Sequence, residues 1–374
     1  MTAFDCGVQS AGVSVCEIVG GRKVNRHETL LSLFSQEGLG LEVGPSYNPL
    51  LPKSAGYNIE TVDYADAASL RDKYRSDSSV DVGKIEDVTY VSDGRSLLDL
   101  IGHPARYDYI VALHVIEHVT DIVRFLRDCE TLLKPDGVLV LAVPDKRFCF
   151  DALRPVSTVG QALQAYAEAR KRHHPGMLFD HISTIIEKAG RPTWPEADFD
   201  DLTLQNDPLM ARNMFETARH SDEYHDIHAW QFTPSYFKYM IQTLRYLGYI
   251  QSGILSFKAN EMGDTFKFEF YVTLSKGAPL DAASGLSLLK SSEDELREIR
   301  MSAELAARES SIVEQISHLN IEIAAVRNAL SAALRENEAL RASSSWKITA
   351  PLRYLKALPQ TISSAGRLKK QQAM

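Results

Sequence analysis

The chain has 374 residues, with 44% hydrophobic and 24% charged side chains, which excludes a protein disordered throughout or one embedded in a membrane. Its net charge of −8 is uneven: from Ser343 onward six basic residues (Lys347, Arg353, Lys356, Arg367, Lys369, Lys370) meet no acid, and removing that +6 leaves about −14 elsewhere. An acidic body of this kind argues against nucleic-acid binding.

Residues 1–37 read as an N-terminal segment. It carries Asp5 and Glu17 before any lysine or arginine, unlike a secretory signal. Cys6, Cys16, Cys129 and Cys149 are too scattered for a disulfide framework and fit a reducing cytoplasm. Strand-like apolar runs then alternate with helical stretches. GLGLEVG and YNIETVDYAD are the first two strands, and Asp66 to Tyr74 has helical character. VTYVS and YDYIVAL supply the third and fourth strands. Asp121 to Leu133 spaces Ile122, Val123, Leu126, Cys129 and Leu132 as a helix does, and KPDGVLVLAVPD is a turn followed by a fifth strand. This alternation predicts a doubly wound α/β fold with a mostly parallel, seven-stranded sheet.

Residues 145–226 differ in texture. They are charged, aromatic and interrupted by Pro155, Pro175, Pro192, Pro195 and Pro208, which reads as a helical lid inserted into a domain spanning 38–275. The α/β pattern resumes at His228 with a helix from Pro234 to Leu247. YIQSGILSF and FKFEFYVTL then form an antiparallel edge pair. Residues 276–292 are small and polar, as in a linker. Over 293–342 the period changes: Ile312, Ile316, Leu319, Ile323, Val326, Leu330, Ala333, Asn337 and Leu340 alternate gaps of four and three, the seam of a coiled coil. Asn337 occupies an a position, where a polar residue sets register. Residues 343–374 form a basic, amphipathic tail with one tryptophan.

LEVGPSYNP follows the first strand directly. Gly44 permits a sharp turn and close ligand approach, and Pro45 stiffens that turn. Asp63 ends the second strand nineteen residues later, where an acid can accept both ribose hydroxyls of a nucleotide-like cofactor. A loop with one glycine leaves little room for a diphosphate. Glu42 would repel a diphosphate but attract a sulfonium or ammonium group, which points to S-adenosyl-L-methionine rather than NAD. After the third strand, Asp93 either accepts from an adenine amino group or is a turn residue before Gly94.

EVGPSYNP, VDYAD, SDGRSL, YDYIVALHVIEHV and LLKPDGVLVLAVPD together resemble class I S-adenosylmethionine-dependent methyltransferases of the type-11 kind, over residues 38 to 150 and more loosely to 275. The first loop departs from the family in lacking further glycines. HVIEHV matches the H-x-x-E-H of some zinc peptidases, but that motif needs both histidines on a helix. The resemblance makes it a wall of the cofactor crevice, with His114 and Val115 near the adenosyl group. His225 or His228 could join these histidines around a metal, and imidazoles suit transition metals better than magnesium; the sequence assigns none.

Methyl transfer to a hydroxyl requires a base, and the candidates are His118, Asp145 and the EYHDIHAW cluster with His225, Asp226 and His228. Lys146, Arg147, Asp151 and Arg154 either bind an anionic or polyhydroxyl acceptor or tie down the lid by ion pairs. P-D-K-R-x-x-F-D-x-x-R-P and H-x-W are similar to segments of bacterial methyltransferases associated with surface-polysaccharide synthesis. SSSWKITAPLRYLKAL resembles a segment recurring at the ends of bacterial glycosyltransferases and their partners. The resemblance implies O-methylation of a glycan hydroxyl and a tail that meets a glycosyltransferase or the inner membrane face, while the heptad seam predicts a homo-oligomer and the scattered cysteines a cytoplasmic protein. The alternatives are a small-molecule, lipid or RNA methyltransferase, and a degenerate coiled-coil scaffold.

Overall fold

The computed structural model describes residues 26–194, 201–259, 268–279 and 283–354, with the backbone of a hairpin at 17–19 and 22–24 and without the side chains of 298–307. Most of the N-terminal segment and of the basic tail, including Lys356, Arg367, Lys369 and Lys370, therefore lies outside the described residues.

A seven-stranded sheet organises the first of two compact units, residues 1–303. Its strands are β1 (Gly40–Val43), β2 (Ile59–Asp63), β3 (Tyr90–Val91), β4 (Tyr107–Leu113), β5 (Leu133–Pro144), β6 (Gly253–Lys258) and β7 (Glu269–Ser275). Their spatial order is β6-β7-β5-β4-β1-β2-β3. The first five run parallel, whereas β7 pairs antiparallel with both β5 and β6. The predicted fold class and antiparallel edge pair are what the sheet shows.

The apolar runs are continuous because both faces are covered. Along β4, Tyr107, Ile110 and Ala112 enter one core, while Tyr109 and Val111 enter the other. Leu139, Leu141 and Val143 divide from Val140 and Ala142 along β5 in the same way. Gly40 is obligatory in β1, since a Cβ there would collide with the Tyr109 ring.

The helices are α1 (Arg26–Leu31), α2 (Ala67–Tyr74), α3 (Leu97–Ile101), α4 (Ile122–Leu132), α5 (Val159–Ala167), α6 (Pro175–Thr184), α7 (Pro208–Ala218), α8 (Pro234–Tyr246), α9 (Gly285–Ala342) and α10 (Ser344–Ile348). Asp121 starts α4 by accepting from the Arg124 amide at 2.9 Å, a standard N-cap.

The insertion is not wholly helical. It holds α5, α6 and α7, and also a ribbon pairing Ile186–Lys188 with Leu202–Leu204. Pro175 and Pro208 begin helices rather than break them, because proline's fixed φ suits a first turn whose N–H has no partner. The expected linker over 276–292 is also shorter than its composition suggested. Helix α9 begins at Gly285, the Ser292 hydroxyl lies 2.8 Å from that of Thr233, and Glu295 accepts from the Ser235 hydroxyl at 2.7 Å. Burial of these small polar side chains against α8 extends the helix backwards.

The second unit, residues 304–374, is described through Tyr354. Most of α9 belongs to it, as one uninterrupted helix. Every described α9 residue from Arg308 to Ala342 is exposed, including the apolar seam residues Ile312 to Leu330. No described helix is long and apolar enough to cross a membrane.

Candidate active site

The carboxyl ends of the parallel strands define one edge of the sheet, where ligands settle in open α/β folds. After β1, Gly44 adopts φ +69°, and a Cβ there would lie 3.1 Å from a Val115 methyl of the loop after β4. Glycine thus keeps open the cleft between these two loops. Pro45 leads into Ser46, which also takes a positive φ, of 47°.

Asp63 holds that turn: its two oxygens accept from the Ser46 and Tyr64 amides, each at 2.8 Å. Burial raises its pKa, and the two amides oppose the rise. Each carboxylate oxygen keeps a lone pair for a further donor. Glu42 acts differently. It is 2% exposed, and its oxygens accept from the Leu50 and Leu51 amides at 2.7 and 3.2 Å. Its carboxylate therefore shapes the loop from beneath. Burial pushes its pKa up to about 7 against those two amides.

Asp93 and Gly94 lie on an exposed turn after β3. Asp93 accepts there from the Arg95 amide and guanidinium, at 3.1 and 2.8 Å. Their contacts are those of a turn; none joins them to the β4 loop.

The densest chemistry follows β4. His114 takes φ +53°, an uncommon conformation for a side-chain-bearing residue that clusters at functional sites. Ile116–His118 form one 3-10 turn, so the H-x-x-E-H histidines do not share a helix as the peptidase motif requires. Glu117 is 1% exposed, and neither carboxylate oxygen has a hydrogen bond among the described residues. Three imidazoles surround its Oε1: His114 Nδ1 at 3.4 Å, His118 Nε2 at 3.8 Å and His228 Nε2 at 3.9 Å.

Each ring meets a second carboxylate on its other nitrogen. His114 Nε2 lies 2.8 Å from Glu269, His118 Nδ1 lies 2.8 Å from Asp226, and His228 Nδ1 bonds Asp151. Burial works against charge on His114, but Glu117 and Glu269 outweigh it and push its pKa up to about 9. His118 is raised despite burial by Asp226. Burial alone would raise Glu117, Asp151, Asp226 and Glu269, yet the neighbouring cations hold all four below the usual carboxylate range.

His228 arrives from 111 residues away in sequence because its strand-like segment docks on this loop. The Ala229 amide donates to the Glu117 carbonyl at 2.8 Å, and Trp230 Nε1 to the Val119 carbonyl at 2.6 Å. The H-x-W spacing therefore serves two ends, with histidine at the cluster and tryptophan as its anchor.

Beyond β5 the charges satisfy one another. Asp145 is buried and engages Arg147 through both carboxylate oxygens. Lys146 donates to the Ala152 carbonyl at 2.6 Å, and Arg154 to Asp151 at 3.1 Å and to the His228 carbonyl. Of the two readings of this segment, the geometry matches the ion-pair network.

The fold thus gathers His114, His118 and His228. Gly44 and Pro45 stand in the adjoining loop, which Asp63 at the end of β2 holds through the Ser46 amide, and Asp145 pairs away from the histidines. Glu117 is the glutamate of the H-x-x-E-H motif and Asp226 belongs to the EYHDIHAW cluster, but two members were not singled out from sequence: Glu269 and Arg26, which donates to Glu269 at 2.6 and 2.8 Å. A signal existed for Glu269, an acid in an otherwise apolar strand. Arg26 offered none.

Comparison with known proteins places this geometry. A family profile described as "Methyltransferase domain" matches residues 22–235, more than half of the chain, and the chain belongs to that family. S-adenosyl-L-methionine is the cofactor of this domain. Among curated proteins, ubiquinone biosynthesis O-methyltransferases are similar over a short stretch. That of Rhodopseudomonas palustris (strain HaA2) is 44% identical over 43 residues, 12% of this chain and 17% of that one. That of Bradyrhizobium sp. (strain ORS 278) is 40% identical over the same length. The chain thus spans under a fifth of these relatives. Solved structures with some likeness include the CcbJ methyltransferase of Streptomyces caelestis, at 12% identity and TM-score 0.35, covering 67% of this chain and 93% of that one. An S-adenosylmethionine-dependent methyltransferase of Mesorhizobium loti has 12% identity and TM-score 0.34, covering 66% and 95%.

Proposed function

We propose that the protein is an S-adenosylmethionine-dependent O-methyltransferase acting on a sugar hydroxyl in bacterial surface-glycan synthesis. The observation that carries the O-transfer reading is the carboxylate–imidazole cluster beside the β1 loop. A hydroxyl must lose its proton as it is methylated, and this cluster can accept one. The methyl group leaves the sulfonium with the C–S electron pair returning to sulfur, an oxygen–carbon bond forms, and the hydroxyl proton passes to the cluster. His118, more open than His228 at 21% exposure, faces the acceptor, and Asp226 orients it. Asp63 holds the ribose, and Glu42 acts on the cofactor through the loop it supports. Asp93 and His114 border the adenosyl group.

A second acceptor class has its own support: the matched stretch of ubiquinone biosynthesis O-methyltransferases favours a small hydroxylated ring. Transfer of a labelled methyl to lipid-linked and nucleotide-linked sugars, compared with a hydroquinone series, separates the two. A methyl ether on a sugar supports the glycan reading. Transfer only to the ring compounds replaces it. Failure to bind S-adenosylhomocysteine favours the coiled-coil scaffold instead.

The distal part of α9 pairs with a second copy in a parallel coiled coil. In parallel register each g position faces the e position five residues later on the partner, which sets Glu322 against Arg327 and Glu336 against Arg341, with Asn337 opposite its own copy. Antiparallel pairing would lose this complementarity. The tail from Ser343, where Arg353 stacks 3.7 Å over Trp346 and Ile348 and Leu352 are exposed, docks a glycosyltransferase or the inner membrane face from the cytoplasmic side.

A further inference from the structure

We infer that Glu117, His118 and His228 form a binding site for one divalent transition-metal ion. The inference concerns this cluster alone and is independent of which acceptor is methylated; an Nε2 held by the ion cannot also take the hydroxyl proton, so in the metal-bound protein the base role of His118 proposed above falls away.

Glu117 supplies the first reason. A carboxylate this deeply buried is ordinarily hydrogen-bonded, yet both of its oxygens lack a partner among the described residues, as does His228 Nε2. Three polar atoms of one cluster thus point into the same small space. The approaches of His118 and His228 to Glu117 Oε1, 3.8 and 3.9 Å, are too long for hydrogen bonds.

Spacing supplies the second. One ligand atom from each of Glu117, His118 and His228 lies within 4.8 Å of the others. Two donors held about 2.1 Å from one ion stand roughly 3.4 Å apart in a tetrahedron. The two imidazole nitrogens stand 3.8 and 3.9 Å from Glu117 Oε1, within about half an ångström of that spacing, and no pair in the trio exceeds it by more than about 1.4 Å.

Orientation supplies the third. Asp226 faces His118 Nδ1 and Asp151 bonds His228 Nδ1, which directs each Nε2 towards Glu117. A carboxylate behind the imidazole is the usual support of a metal-ligating histidine: it fixes ring and tautomer and raises basicity. A histidine acting only as a packed core residue needs no such partner, and here two have one.

Two imidazole nitrogens and one carboxylate oxygen suit zinc, cobalt, nickel or iron better than magnesium, which prefers oxygen donors and water. Three protein ligands leave a position open, as in catalytic rather than structural sites. His114 Nδ1 borders that position, on the side where the His114 and His118 side chains are 19% and 21% exposed.

The test uses the full chain stripped with a chelator and titrated with zinc chloride alone, cobalt chloride alone and magnesium chloride alone. Heat of binding and the cobalt visible spectrum are the readouts. The expected result is one zinc or cobalt per chain, a cobalt spectrum of low-symmetry nitrogen–oxygen coordination, and no magnesium binding in the same range. Glu117→Gln should weaken zinc at least tenfold. Asp226→Asn, at a half-exposed residue whose loss threatens folding less, should weaken it about tenfold, as loss of such a support does. Equal zinc affinity in the native chain and folded Asp226→Asn and Glu117→Gln would overturn the assignment, as would magnesium binding with the same dependence on Glu117. S-adenosylhomocysteine binding in the same samples is a separate readout, so the two proposals fail independently.

Discussion

Helix α4 and the distal part of α9 carry the same kind of apolar periodicity and meet opposite fates. In α4, Ile122, Val123, Phe125, Leu126, Cys129 and Leu132 are all buried against the sheet. In α9, Ile312, Ile316, Leu319 and Ile323 are about half exposed along a helix of 58 residues, which at 1.5 Å each spans roughly 87 Å. Periodicity identifies the face a helix must cover; it does not say whether its own chain covers it. In α4 the cover is intramolecular, and stability follows from one folded unit. In α9 none of the described residues covers the seam, and the pairing proposed above would supply the cover.

The largest expected effect tests the first half of this contrast. Leu126→Ala removes a fully buried side chain from the main core and should cost about 2–5 kcal/mol of unfolding free energy in denaturant titration. A loss below 1 kcal/mol would mean that α4 is not the anchor its burial implies.

Next comes cofactor affinity. Asp63→Ala removes the acceptor that pins Ser46 and the proposed ribose contact, and should weaken S-adenosylhomocysteine by at least tenfold in calorimetry, about 1.4 kcal/mol or more. Unaltered affinity would remove Asp63 from the cofactor site.

Acidification should then weaken the body and leave the coil helix largely intact. Burial lowers the pKa of His173 to about 4 and of His181 to about 3. The unfolded chain therefore binds more protons than the folded one below the ordinary histidine value, and stability falls as pH drops from about 6.5. Asp151 and Glu269, depressed in the fold, add a loss of the same sign as pH falls below about 4. His114 and His118, raised in the fold, act with the opposite sign above about pH 6.5, and Glu42, pushed up to about 7, partly offsets the fall below it. Thermal melts should therefore stay nearly level from about pH 7 to about pH 6 and fall from there to about pH 4. A flat profile across that lower range would mean that His173 and His181 are not buried uncharged.

Smallest is Ile323→Ala on the exposed seam. At high dilution, where chains are separate, it should change stability by no more than about 0.5 kcal/mol beyond helix propensity. A loss that grows with protein concentration would identify a second copy as the cover; no dependence on concentration would dissolve the pairing of α9.

Much of the fold could be read along the chain because each β-strand declares its burial locally. YDYIVAL and GVLVLAV are apolar on alternate residues of both faces, and only a strand covered on two sides uses such a run. The first-loop residues Gly44 and Asp63 were legible for a related reason, since both sit at strand ends a fixed distance apart. The Glu117 cluster was legible only in fragments. His114 and His118 are neighbours in HVIEHV, but His228, Asp151, Asp226 and Glu269 come from distant segments, and nothing local marks where a chain returns.

The amino-acid sequence by itself determined the alternating α/β pattern, the loop chemistry after β1 and the four-three seam of α9, because these depend on backbone geometry and on contacts a few residues away. Tertiary structure alone decided that Glu42 supports a loop from below, that the charges after β5 neutralise one another, that α9 starts at Gly285, and that three imidazoles converge on one buried carboxylate. Each of those facts is a pairing between groups far apart in the chain, and only the closed fold selects which groups meet.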